Sequence, residues 1–226
     1  MIDNIKNKVK KIVFGIKNIF IDKDVIDNFH KAYYNSGVYQ FTEWEGIRIY
    51  KYPSDLFLYQ EIIMKNKPDI IIETGTLYGG SALFFARLFD ILGNGKVISI
   101  DIVNKDFPKH HRISYAKSDS TNAKLISELK LECAGKKVMV ILDSDHSKTH
   151  VLKELKIYNE LVTKGQYMIV EDSNINGHPV YNSFGEGPME AIEEFMKDNN
   201  SFKIDTKLEN KFLITANPNG YLVKVK

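Results

Sequence analysis

Cysteine is almost missing from this chain of 226 residues, with Cys133 standing alone. No internal disulfide is available, and a reducing cytoplasm fits that usage. Strong net charge is missing too. Lys and Arg number 31 against 29 Asp and Glu, which leaves +2. That is too little to argue for nucleic acid, and no aromatic-basic patch of the RNA-binding type appears. No apolar run reaches the roughly 20 residues of a membrane-spanning helix. Internal repeats and low-complexity linkers are absent. What is there is 43% hydrophobic and 27% charged, an ordinary globular composition. The length suits one α/β domain with a sizeable core and some decoration.

The segment MIDNIKNKVKKIVFGIKNIFIDKDV is basic, but it has no continuous apolar core and no small-residue cleavage site, so it does not read as a signal peptide. Ile2, Ile5, Val9, Ile12, Val13, Ile16, Ile19 and Phe20 recur at helical spacing between lysines. The pattern predicts an amphipathic helix packed on its own domain or on a partner subunit of a homo-oligomer. The competing expectation is peripheral contact with an anionic membrane surface. Gly15 interrupts the stripe in either case. Residues 28–60 are rich in aromatics, among them Phe29, Tyr33, Tyr34, Tyr39, Phe41, Trp44, Tyr50 and Tyr52. They read as a cap, giving a helical and aromatic extension over 1–60 and a main domain over 61–226. A helix is expected from Pro53 to just before Pro68.

From Asp69 the pattern alternates. Apolar runs at 70–74, 96–101, 113–119, 137–143 and 167–172 read as short buried strands. Helical patterns lie at 81–92, 122–132, 149–162 and 187–199. Such alternation predicts a doubly wound, mostly parallel sheet with helices on both faces, a Rossmann-like α/β fold. The tail departs from it. Residues 211–216, then Asn-Pro-Asn-Gly, then 221–226 predict an antiparallel hairpin turning at Asn219-Gly220.

In open sheets of this kind ligands bind beyond the carboxyl ends of the strands. Each expected tip carries an acid: Glu73 with Gly75, Asp101, Asp119, Asp143, and the pair Glu171-Asp172. Solvated loops also carry acids, but mixed with lysines and less regularly placed, so a shared binding site is the stronger reading. At the first tip, ETGTLYGGSA, Gly75 and Gly79 permit a tight turn and close backbone approach, and Ser81 is expected to cap the next helix. Thr76, Leu77 and Tyr78 separate the glycines, which is not the dinucleotide fingerprint and speaks against a nicotinamide oxidoreductase. Asp101 is placed to take two ribose hydroxyls, and Asp119 with Ser120 to read an adenine edge. A Gly-rich turn with acids and no phosphate-binding lysine favours a nucleoside with a cationic arm. S-adenosylmethionine is such a ligand, with Glu73 organising the turn or meeting its amino group.

The stretch Glu73-x-Gly75-x-x-x-Gly79-x-Ser81 resembles the first motif of catechol-type O-methyltransferases. More broadly, IIETGTLYGGSALFFARL, VILDSDHSKTHVLKEL, GQYMIVEDSNINGHP and NPNGYLVKV resemble the cephalosporin-hydroxylase-like family and the related macrolide-sugar O-methyltransferases. The likeness runs from about residue 44 to the end. It implies a class I methyltransferase fold that binds S-adenosylmethionine and often Mg²⁺. It also implies that Asp143, Glu171 and Asp172 hold the metal, an oxygen donor set that suits this hard cation. Asp145 is the rival for Asp143. A histidine at the offset of His146 is the implied general base, with Lys148 as the alternative. His178 is expected to line the acceptor pocket within a polar lid over 173–188. The acceptor implied is a sugar with vicinal hydroxyls, carried on a nucleotide, a surface polysaccharide or a glycolipid precursor. Tyrosines and Trp44 are candidates for stacking on it, though core packing is the plainer reading. A non-catalytic partner of a tailoring enzyme is the remaining alternative.

Overall fold

The computed structural model describes residues 22–103 and 105–226, so the expected N-terminal amphipathic stripe lies outside the described residues. A first helix, α1 (Lys23–Ser36), is capped by the Asp22 side chain. A two-stranded hairpin follows, β1 (Glu43–Trp44) with β2 (Ile47–Arg48). Then comes α2 (Pro53–Asn66), with Pro53 in its first turn where a missing N–H costs nothing.

Seven strands build the main sheet: β3 (Ile70–Thr74), β4 (Lys96–Asp101), β5 (Ile113–Lys117), β6 (Val138–Leu142), β7 (Tyr167–Val170), β8 (Phe202–Ile204) and β9 (Tyr221–Lys224). Their order across the sheet is β5-β4-β3-β6-β7-β9-β8. The first five run parallel, while β9 pairs antiparallel with both β7 and β8. Helices α3 (Gly80–Leu92), α4 (Ala123–Cys133), α5 (Lys148–Tyr158) and α6 (Pro188–Asp198) are the crossovers and cover. The chain is therefore the expected doubly wound, mostly parallel sheet with an antiparallel C-terminal pair.

Helices on both faces explain the unbroken apolar strands, since each strand residue meets a covered face. Ile70, Ile72, Val138 and Val140 pack with α4, α5 and α6, whereas Ile71, Met139 and Ile141 pack with α2 and α3. Helix α2 is itself core: Leu58, Tyr59, Ile62 and Ile63 are buried against the sheet. The boundary expected between residues 60 and 61 falls inside this helix. Trp44 packs edge-on against Phe84 at 5.0 Å between ring centres, a core contact rather than an open stacking surface.

The C-terminal pair differs from the expected hairpin. Residues 211–216 form no strand, and the outer partner of β9 is β8. The reason is a buried acid elsewhere. Asp55, fully buried, accepts hydrogen bonds from Thr215 Oγ1 at 2.6 Å, Ala216 N at 2.9 Å and the Tyr221 hydroxyl at 2.9 Å. That carboxylate takes the amide a ladder would have used.

Candidate functional site

The strand order reverses between β3 and β6, a topological switch point where a crevice opens beyond the strand ends. A cavity of about 610 Å³ lies there, within the range of ligand sites. Gly75, Asp101, Asp119, Ser120, Asp143, Asp145, His146 and Asp172 all line it. Gly75 has φ +89° and sits against the tip of β6, its N–H bonded to Ile100 O at 2.8 Å.

Asp101, at the end of β4, is tied to the glycine turn. Its Oδ2 accepts the Thr76 and Leu77 amides at 3.0 and 3.1 Å, and Oδ1 accepts that of Val103 at 2.8 Å. Asp119 accepts both the amide and the hydroxyl of Thr121 at 2.7 Å, bonds that hold its carboxyl below the usual range. Ser120 Oγ lies 3.2 Å from His150 Nε2. Thr76 Oγ1 meets Ser99 Oγ at 2.7 Å, and Ser99 donates to Glu73 at 2.7 Å. Glu73 is fully buried, and burial pushes its carboxyl up to about 7 against the opposing Lys51. Glu73 thus lies beneath the turn, outside the cavity lining. Thr76 and Ser81 line a narrow recess beside the cavity, together with Lys51. Ser81 does not cap α3 as expected. The helix starts one residue earlier, with Gly79 at its N-cap, because Gly79 N closes the turn onto Thr76 O at 2.7 Å.

The acids at the next two tips converge. Asp143 Oδ1 and Asp172 Oδ2 stand 3.3 and 3.4 Å from His146 Nε2. One ligand atom from each of these three residues lies within 4.8 Å of the others. Burial would lower the imidazole, but Asp172 and Asp143 outweigh it and raise His146 to about 9. Burial raises Asp172, with Asp143 adding to it against the opposing His146. Asp143 goes the other way. Burial pushes it up, but Lys51 and His146 outweigh that and hold it below the ordinary carboxylate range. The residues present fit a divalent cation: two carboxylates and an imidazole converge at the edge of the cavity.

Of the three acids expected to hold the ion, Asp143 and Asp172 gather about His146, and Glu171 meets Asp143 through Lys51. Glu171 is buried and turned toward α2, accepting from the Tyr59 hydroxyl at 2.5 Å and pairing with Lys51 Nζ at 2.7 Å. The same Nζ lies 2.8 Å from Asp143 Oδ2. His146 completes the cluster where Glu171 was expected. Burial pushes Glu171 up to about 8 in spite of Lys51. Asp145 also lines the cavity, and its Oδ1 accepts the Ser147 amide at 2.7 Å. Lys148 stays outside the cavity lining, paired with Glu186 at 3.0 Å and Glu194 at 3.3 Å. His178 likewise stays outside it, 2.9 Å from Glu190. Lys51 and Tyr59 were missed by sequence reasoning. Neither has a motif: Lys51 is one of many lysines, and Tyr59 reads as core within an apolar helix.

A doubly wound sheet with a glycine turn at the switch point and acids on successive tips defines a class I methyltransferase fold. The sequence profile described as rhamnosyl O-methyltransferase/CmcI matches residues 36–225. The rhamnosyl O-methyltransferase of Mycobacterium tuberculosis is 44% identical over 209 residues, 88% of this chain and 85% of that one. Its counterpart in Mycobacterium leprae is 43% identical over 208 residues, 88% of this chain and 90% of that one. Among solved structures, apo CmcI superposes with a TM-score of 0.65 at 22% identity, covering 83% of this chain and 77% of CmcI. The chain belongs to the rhamnosyl O-methyltransferase/CmcI family and is an O-methyltransferase.

Proposed function

We propose that this protein transfers the sulfonium methyl of S-adenosylmethionine to a hydroxyl of a rhamnosyl or related sugar, with Mg²⁺ held at the acid cluster. The observation that carries the reading is a single cavity whose lining includes both the glycine turn with Asp101 and the Asp143–His146–Asp172 cluster. Relatives named rhamnosyl O-methyltransferase support the sugar acceptor. A CmcI structure with Mg and SAM bound supports the donor and the ion.

In this reading Gly75 lets the backbone approach the donor. Asp101, whose lone pairs are not exhausted by three amides, takes ribose hydroxyls. Asp119 and Ser120 border the adenine, and Glu73, Thr76, Gly79 and Ser81 shape the turn from behind. Asp143 and Asp172 hold the ion, with Glu171 as the third acid. A divalent ion held there would supply Lewis-acid polarisation of the acceptor oxygen. His146, facing Asp143 and Asp172 at the edge of the cavity, would act as the general base toward the hydroxyl proton. The residues around the crevice exclude water and align the oxygen with the methyl carbon. The single cysteine and the donor fit a cytoplasmic reaction. The capping role falls to residues 23–52.

The test is a methyl-transfer screen over nucleotide- and lipid-linked sugars, including rhamnosyl acceptors, with and without EDTA. Transfer to a sugar hydroxyl, lost in EDTA and restored by Mg²⁺, is expected. Calorimetric binding of NAD without binding of S-adenosylmethionine would overturn the reading in favour of an oxidoreductase.

A further inference from the structure

Lys51 carries a feature that the methyl-transfer reading leaves unused. Its ammonium bridges two acids, 2.8 Å from Asp143 Oδ2 and 2.7 Å from Glu171 Oε1, with 3% of its side chain exposed. The backbone that delivers it is fixed. Ile49 N donates to Thr42 O and Lys51 N to Ile49 O, both at 2.8 Å. Arg48 lies so close to the start of α3 that a Cβ on Gly80 would come 2.2 Å from its carbonyl oxygen. The ammonium is therefore a built part of the acid cluster and not a surface lysine that has folded inward.

Asp143 is the shared element. One of its oxygens faces Lys51 and the other faces His146, inside the group that fits a cation. A divalent ion on Asp143 and an ammonium on the same carboxylate repel strongly when neither is in water. Without any cation, buried Glu73 and Glu171 and half-buried Asp143 would repel one another. A lysine ammonium is a compact point charge on a flexible stem, suited to standing in for an ion and then withdrawing.

We propose that Lys51 is the resident cation of the Asp143–Glu171 pair, and that a divalent ion enters by exchange with its ammonium, which frees Glu171. This inference rests on the metal reading above. Lys51 thereby keeps the acids ordered when no ion is bound and sets a threshold that an incoming ion must exceed. Affinity for divalent ions is lower than the carboxylates alone would give.

The test is a Mn²⁺ titration of the full chain, followed by the loss of the free-ion electron paramagnetic resonance signal, with Mg²⁺ as competitor. Wild type, Lys51→Met, Lys51→Gln and Asp172→Asn are compared, with folding checked by circular dichroism. The Lys51 variants are expected to bind Mn²⁺ at least about tenfold tighter, and Asp172→Asn weaker than wild type. Folded Lys51 variants that bind equally or more weakly would overturn the exchange and leave the metal reading standing, provided Asp172→Asn loses affinity. Absence of Mn²⁺ binding by wild type would remove both. If the Lys51 variants do not fold, the wild-type chain decides through reductive methylation read by mass spectrometry. The Lys51 amine is expected to be protected without metal and modified under saturating Mg²⁺. Protection that Mg²⁺ leaves unchanged would overturn the proposal.

Discussion

Replacing Gly75 by alanine tests whether the close approach of two strand tips builds the crevice. A Cβ at this position would lie 1.8 Å from the carbonyl oxygen of Asp143 and 2.6 Å from its carbon. Relief needs a displacement of roughly 1.5 Å or more. Neither tip is free to give. Gly75 N is bonded to Ile100 O at 2.8 Å, and Asp143 N to Thr74 O at 3.0 Å. Gly165 supplies the control, because its φ of +82° imposes the same backbone strain while a Cβ there meets nothing within 4 Å. The left-handed strain alone costs about 1–2 kcal/mol, which is the expectation for Gly165→Ala. Gly75→Ala adds an overpacking cost, for a total of about 2–5 kcal/mol. In a chain of this size each kcal/mol lowers Tm by about 2–4 °C. Thermal denaturation would be paired with calorimetric titration of S-adenosylmethionine. Gly75→Ala is expected to lose donor affinity at least about tenfold, and Gly165→Ala to keep it. Equal Tm losses together with unchanged donor binding in both variants would refute the reasoning.

Three further outcomes are expected. His146→Gln should lower kcat by about 10²–10⁴-fold with donor affinity intact, and a variant with wild-type turnover would exclude the imidazole as base. Asp55→Ala leaves the Thr215 and Tyr221 hydroxyls and the Ala216 amide without their acceptor. It should cost at least about 3 kcal/mol in denaturant unfolding, so an unshifted midpoint would contradict the network. His30, nearly buried at 5% exposure, accepts from the Asn174 side-chain amide at 3.1 Å. Burial, opposed by Asp27, lowers its pKa to about 4. Because the folded value lies below the unfolded one, its contribution is intact above about pH 6.5 and falls away as pH drops toward 4, by up to about 3 kcal/mol. His30→Gln should flatten the unfolding free energy over that window, and an unchanged slope would discount the residue.

The sheet was legible because parallel strands covered on both faces must be apolar throughout, as Ile70–Ile72 and Val138–Leu142 are. The helix starts were less so. At Gly79 a backbone turn replaced the serine cap that the residues suggested. Residues 211–216 carry strand-like side chains, yet the carboxylate of Asp55, far away in sequence, claims Thr215 and Ala216. The cavity acids could be read off strand tips, since topology puts those tips together. Which acid turns inward could not. Glu171 faces Tyr59 and Lys51, and only the fold brings those two to it. A lysine in an aromatic stretch carries no mark of the carboxylate it will meet.

Strand β9 lies between β7 and β8, and its Tyr221 hydroxyl reaches Asp55, one helical turn from the Tyr59 that grips Glu171. Synthesis on the ribosome therefore delivers the candidate ion-binding acids, Asp143, Glu171 and Asp172, some way before the strand that completes the sheet beside them. A nascent or prematurely terminated product lacking residues 221–224 has every candidate catalytic side chain and an unfinished sheet.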